Sequence, residues 1–401
     1  MNDNRLMRGS LEGRRAPCDT PMAETTTGTT PAPFCGSYAP DDCEFLLKPL
    51  SIPSIGVDEK EGLIQSGARH YSEMLTRERL PSPRYMELFL ELTHRYAERM
   101  AGDVVTLAQH IAVTRSGPLT IASLARAGTP VGALLTRALR DLFQREVRHY
   151  SLSIIRDRGI DENALHYLLE VAHRPAAGVI FVDGWTAKGS IQRELDASIA
   201  RWNARHPNAP LDGSLHVLSD MSGKAKVAAN HDDYAIPSGV LNATVSGLVS
   251  RSVLNDQLLG TDFHGCAFYR EFFPSDRSTW FLDQISREFE RVSARPLPSP
   301  QQKAVRAKET AAWVNTCMAS HNLTDINLIK PGIAEATRVL LRRKPELVIV
   351  RDRADCDVRH LLALAAAGNV RISLDTTMPF RAASLIRALD VRPGGAMRGA
   401  G

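Results

Sequence analysis

Four short segments carry most of the residues able to handle a charged ligand. They are Ala125-Arg-Ala-Gly-Thr-Pro130, Arg156-Asp-Arg-Gly-Ile-Asp161, Asp183-Gly-Trp-Thr-Ala-Lys-Gly-Ser190 and Ser219-Asp-Met-Ser-Gly-Lys224. Glycine lets backbone N–H groups approach an anion, and Lys or Arg supplies charge. One such segment is an ordinary turn; four on one edge would form a cationic, amide-lined cleft suited to a phosphorylated ligand. Lys188 offers a point charge. Arg156 and Arg158 pair either with phosphate or with the neighbouring Asp157 and Asp161. Asp183 accepts from ligand hydroxyls or caps the helix that follows. Asp220 is a candidate metal or base contact. Thiols offer a second chemistry. Cys35 precedes Gly36-Ser37, Cys43 lies nearby, and Cys266 follows His264-Gly265. On a strand, residues two apart face the same way, so His264 could serve Cys266 as a base. The alternative for each cysteine is a small buried apolar residue.

Apolar runs of strand length precede these segments: Leu119–Leu124, Tyr150–Ile155, Val179–Val182 and Leu215–Leu218. Helical patterns lie between them, at 130–145, 161–171 and from about 189, with another at 85–100. Strand–helix alternation predicts α/β architecture with a doubly wound parallel sheet, whose ligands bind beyond the carboxyl ends of the strands.

The 401 residues are 43% hydrophobic and 23% charged, as in globular proteins. No apolar run approaches the roughly 18 residues of a membrane span. The polar first 15 residues lack a signal-peptide core, and none of the six cysteines forms CxxC. A reducing cytoplasm is the expected location. Residues 1–33 read as a disordered lead, 34–295 as the body, 296–302 as a Pro-rich linker, 303–390 as a smaller α/β domain and 391–401 as a flexible tail. Within the smaller domain, strands are expected at 347–350 and 370–373, and helices from 330, around 357–367 and near 380–389. Residues 301–401 hold 16 Lys+Arg against 9 Asp+Glu, although the whole chain is only +4. That excess suggests a polyanionic partner, or else a solvated basic surface.

Val179-Ile-Phe-Val-Asp183 and the turn after it resemble the phosphoribosyl pyrophosphate motif of type I phosphoribosyltransferases. The resemblance implies a catalytic Asp183 holding ribose hydroxyls, with Thr186, Lys188, Gly189 and Ser190 around a phosphate. Gly184 stands where that motif has a second acid, and Trp185 is bulkier than its usual residue. Ala125–Pro130 resembles the superfamily's pyrophosphate loop, implying phosphate contacts from Arg126 and Gly128, helped by Arg156 and Arg158. Mg²⁺ is the cofactor so implied.

Longer segments are Phe34–Tyr38, Glu59–Glu61, Gln65–Glu73, His149–Asp161, Leu241–Arg251 and Asp262–Gly265. Together they resemble a bacterial stress and tellurite-resistance family. It is described both as a phosphoribosyltransferase and as the N-terminal domain of the cysteine protease StiP. Lys330–Arg338 resembles the helix start of the Pelota RNA-binding domain, implying RNA contacts from Gly332, Glu335, Thr337, Arg338 and Arg342.

The favoured expectation is a phosphoribosyltransferase-like enzyme that binds a phosphorylated ribose donor, fused to an RNA-binding domain. The first alternative is a StiP-family cysteine protease with Cys35 or Cys266 as nucleophile. The second is a non-catalytic, nucleotide-sensing RNA-binding adaptor.

Overall fold

The computed structural model describes residues 32–389. The expected lead up to residue 31, Cys18 and the tail from 391 lie outside them. In chain order the principal elements of the body are β1 (Glu44–Leu46), α1 (Val57–Gln65), α2 (Pro83–Thr114), β2 (Leu119–Leu124), α3 (Gly128–Phe143), β3 (Val147–Leu152), β4 (Val179–Thr186), α4 (Ser190–Arg205), β5 (Leu215–Asp220), β6 (Val227–Asn230) and α5 (Ser278–Ser286). The smaller domain adds α6 (Pro300–Ser320), β7 (Ile329–Pro331), α7 (Ile333–Arg342), β8 (Pro345–Val350), α8 (Arg359–Ala367), β9 (Arg371–Leu374) and β10 (Ala382–Ile386).

Six strands form one sheet in the order β1-β3-β2-β4-β5-β6. Every pairing in it is parallel. Strands β2, β4 and β5 are buried along their whole length, which accounts for their continuous apolar runs. On one face, Val131, Leu134 and Leu135 of α3 join the core. On the other, Leu195, Ile199 and Trp202 of α4 pack on Phe181 and Leu215. The chain steps from β2 to β3 in one direction and to β4 in the other, so the switch point lies between the ends of β2 and β4.

Strand β4 is longer than its apolar run. Asp183, Trp185 and Thr186 pair in register with Val217, Ser219 and Asp220 of β5. The turn expected to begin at Asp183 therefore shrinks to Ala187–Gly189. Gly128 opens α3 against this strand. A Cβ there would sit 2.5 Å from the Val182 carbonyl oxygen and 3.1 Å from the Asp183 Cα. Its small size serves helix–strand packing. Because backbone cannot yield easily, Gly128→Ala should cost about 1–3 kcal/mol, measurable as a lower urea midpoint with an unchanged slope.

The smaller domain forms a mixed sheet in the order β7-β10-β8-β9. Strand β10 occupies the place expected to hold a helix near 380–389. Its Ala-Ala-Ser-Leu-Ile run is wholly buried between antiparallel neighbours β7 and β8. A short apolar run has no periodicity to separate helix from strand. The 296–302 segment is likewise not irregular throughout. Ser299 and Gln302 form a capping box, and Pro300 takes the first turn of α6, where its missing N–H costs nothing.

Helix α6 rests on the body. Thr310 Oγ1 donates to the Met221 carbonyl at 2.6 Å, and Lys303 Nζ donates to the Ala225 carbonyl. Trp185, Leu218 and Met221 of the body share one apolar core with Trp313, Ile333 and Val348 of the smaller domain.

Candidate functional site

A cavity of about 320 Å³ opens at the seam of the two domains. Its floor is the carboxyl end of β4 and the turn into α4. Its roof is β7 and α7. From the predicted set it gathers Asp183, Thr186, Lys188, Ser190 and Arg156, and on the opposite side Glu335, Arg338 and Arg342.

The floor is built locally. Asp183 Oδ1 accepts from the Gly184 N–H at 2.7 Å. Burial lifts the Asp183 carboxyl to about 7, against the opposing pull of Arg338. Thr186 Oγ1 accepts from the Gly189 N–H at 3.0 Å, closing the turn with Gly189 at φ +69°. Trp185 Nε1 donates to Glu335 Oε1 at 3.2 Å. Arg338 lies over the Trp185 ring, 4.4 Å from its centroid, and pairs with Glu335 at 2.9 Å. Lys188 Nζ donates to the carbonyls of Ile326 and Ile329 at 2.7 and 2.9 Å. Arg156 donates to Asn327 Oδ1 at 2.9 Å.

Polar lining residues outside the predicted site set include Lys60, Tyr71, Arg251, Asn327 and Lys330. Arg156 and Arg251 stack over Tyr71, each 5.4 Å from the ring centroid. Burial and adjacent arginines lower the Lys60 ammonium to about 7, and burial with Lys330 nearby does the same to Lys188. Burial alone is the largest influence lowering Lys330. The sequence signal for Lys60, Tyr71, Arg251 and Lys330 was their place inside the segments at 59–61, 65–73, 241–251 and 330–338.

Other predicted residues lie elsewhere. Arg126 is buried away from the cavity lining. It makes a 2.7 Å ion contact with Glu78 and donates to the Val249 carbonyl at 2.8 Å. Arg158 pairs with Glu73 at 2.8 Å. Asp220 is fully buried: Oδ1 accepts from the Ser222 N–H and hydroxyl, and Oδ2 from the Ala225 N–H. Both oxygens hold their own loop, which removes the ground for a metal contact there. Gly332 packs against Met221, and the Ile333 N–H that follows it is capped by Asp233 Oδ1 at 2.9 Å. Thr337 is buried, its hydroxyl donating to the Ile333 carbonyl and meeting His360 Nε2 at 2.9 Å. Arg342 donates to Asn242 Oδ1 at 2.8 Å. Of the residues expected to meet RNA, Gly332, Glu335, Arg338 and Arg342 face the body or the seam cavity, and Thr337 is buried inside the smaller domain.

The thiols stand apart from this cavity. Cys43 and Cys266 are completely buried, and burial pushes both thiols up. Cys35 is 9% exposed. His264 Nδ1 is engaged with Ser153 Oγ at 2.8 Å. His149 spends both ring nitrogens, on the Asp42 carbonyl at 2.6 Å and Ser123 Oγ at 2.7 Å.

These features define a two-part α/β protein: a six-stranded parallel sheet and a small C-terminal domain sealed over its carboxyl edge. Comparison with known proteins gives the family. Residues 36–286 match the family described as tellurite-like stress resistance cysteine protease StiP, and residues 308–388 match the PELOTA RNA binding domain. A protein of Acinetobacter baylyi named cysteine protease StiP is 39% identical over 375 residues, covering 89% of this chain and 95% of that protein. The chain belongs to the StiP cysteine protease family. No solved structure matches it. This kinship overturns the phosphoribosyltransferase reading. The motif around Asp183 was a local likeness that had already lost its second acid to Gly184, whereas the kinship to StiP spans nearly the whole chain. Among the described residues, no helix is long and apolar enough to cross a membrane.

Proposed function

We propose that this chain is a thiol-dependent peptidase with Cys35 as its nucleophile. The kinship to cysteine protease StiP carries the reading. Among Cys35, Cys43 and Cys266, the choice of thiol follows from access. A nucleophilic cysteine must reach substrate and ionise. Burial opposes both at Cys43 and Cys266, while Cys35 keeps surface at the start of a turn through Gly36, whose φ is +59°. Peptide hydrolysis by the full chain, with and without iodoacetamide, tests it. Cys35→Ser should abolish hydrolysis, whereas Cys43→Ser and Cys266→Ser should retain it. Full activity in Cys35→Ser would sink the assignment.

RNA is the partner proposed for the C-terminal domain, supported by the PELOTA match. With the start of α7 turned inward, two of the basic side chains left to solvent lie beside the edge strand β9. Arg371 is 74% exposed, and Arg353, also exposed, donates to the Ile372 carbonyl at 2.9 Å. Each phosphate contact removed should reduce the salt slope of binding by about one. The pair Arg353→Ala and Arg371→Ala should therefore flatten the salt dependence in fluorescence anisotropy, while Arg338→Ala leaves it unchanged. The reverse pattern would return the RNA site to α7.

A further inference from the structure

The seam cavity is electrically unbalanced. Eight cationic side chains line it against two carboxylates, Asp183 and Glu335. Some of the cations have carboxylate partners: Arg338 pairs with Glu335, Arg343 with Glu61 and Arg156 with Asp157. The others have no ion pair with a carboxylate among the described residues, although Glu61, Glu78, Asp325 and Glu335 lie near enough to attract some of them. Lys188 meets two carbonyls, and Lys60 meets the Thr76 hydroxyl at 3.2 Å. Arg251 donates to the carbonyls of Tyr71 and Met74. The Lys330 ammonium has no hydrogen-bond partner among the described residues. Buried charge of one sign without counter-charge is costly, and a fold retains it where a ligand supplies the opposite sign. Burial, with a smaller push from neighbouring cations, depresses these lysines.

The geometry points to a binding site, in the seam between the two domains, for a small ligand carrying at least two phosphate-type anions. The cations come from both sides: Lys60, Lys188 and Arg251 from the body, Lys330 and Arg342 from the smaller domain. One anion would not neutralise cations so spread. The volume of about 320 Å³ sits at the small end of ligand pockets. The β4 turn on one side and β7 with α7 on the other bound a space of small-molecule size. This inference is independent of the peptidase assignment and uses none of its residues.

The test is calorimetric titration of the full chain with inorganic diphosphate, and separately with inorganic phosphate, at low salt and fixed pH. Saturable one-to-one binding of diphosphate is expected, at least tenfold tighter than phosphate and weakening as salt rises. Lys330→Met should reduce diphosphate affinity tenfold or more. It keeps the apolar stem and removes a half-buried cation that has no hydrogen-bond partner among the described residues, so the Tm without ligand should hold or rise. A lysine with a merely structural role would lower that Tm. Arg140→Ala, a surface change at a residue 44% exposed and paired with Asp141, should leave affinity unchanged. Absence of diphosphate binding, equal affinity for phosphate, wild-type affinity in Lys330→Met, or displacement of diphosphate by single-stranded RNA would each overturn the site.

Discussion

Asp233→Ala is expected to loosen the two domains from each other and to lower stability by about 3 kcal/mol. Asp233 belongs to the body, is 8% exposed, and caps the smaller domain. Its Oδ1 accepts from the Ile333 N–H at 2.9 Å, and its Oδ2 from the Arg381 N–H at 2.7 Å and the Ala382 N–H at 3.4 Å. Truncation leaves these donors with no side chain to meet, and each orphaned buried N–H costs about 1–3 kcal/mol. Relief of a buried carboxylate offsets part of that sum. Urea denaturation and amide exchange at Ile333 measure the outcome; a loss below about 1 kcal/mol would show that the cap is dispensable.

The same residue gives the seam a pH dependence. Burial raises its carboxyl to about 6, above the ordinary value of 3.8. The folded state therefore holds this proton more tightly than the unfolded chain does. Its contribution is complete below about pH 4 and is lost as the pH climbs through about 6, a step of at most about 3 kcal/mol. Asp233→Asn should flatten that part of the stability curve.

The fold was legible where burial acts on contiguous residues. Val179–Val182 and Leu119–Leu124 read as strands because a parallel sheet covered on both faces demands unbroken apolar runs. Legibility failed where the decisive partner is distant in sequence. Ala382–Ile386 became a strand because β7 and β8 lie on either side of it, which no local pattern records. Pro300 read as a breaker because proline forbids a helix interior but favours a helix start, and only the Ser299 cap decides between these.

The site divides along the same line. Asp183 and Lys188 could be placed at the cleft because β4 carries them to its carboxyl edge. Lys60, Arg251 and Lys330 could not, because they arrive through docking of α1, of the 251 segment and of the smaller domain. Docking also reversed the meaning of the Gly332–Arg338 motif, whose glycine meets Met221. A Pro-rich boundary suggested an independent domain, yet its apolar residues complete the body's core.

Arg126→Met should be among the most destabilising single changes in the body, costing about 3–5 kcal/mol, the usual loss when one partner of a buried ion pair is removed. In sequence, Arg126 beside Gly128 was indistinguishable from a phosphate-binding arginine. In the fold its side chain is 4% exposed and faces Glu78, itself 9% exposed. Glu78 Oε2 also accepts from the Ala243 N–H at 3.1 Å, so this pair ties the loop after β2 to the 243 segment. Removing the guanidinium leaves a buried carboxylate without its counter-charge. Removing both charges is far gentler, because no lone ion remains. The double variant Arg126→Met with Glu78→Gln should thus recover most of the stability that Arg126→Met loses, giving a coupling energy of about 2–3 kcal/mol in a double-mutant cycle. A phosphate-binding arginine would show no such recovery, since Glu78 would then be a bystander. Additive losses in the two single variants would overturn the structural role and return Arg126 to the ligand.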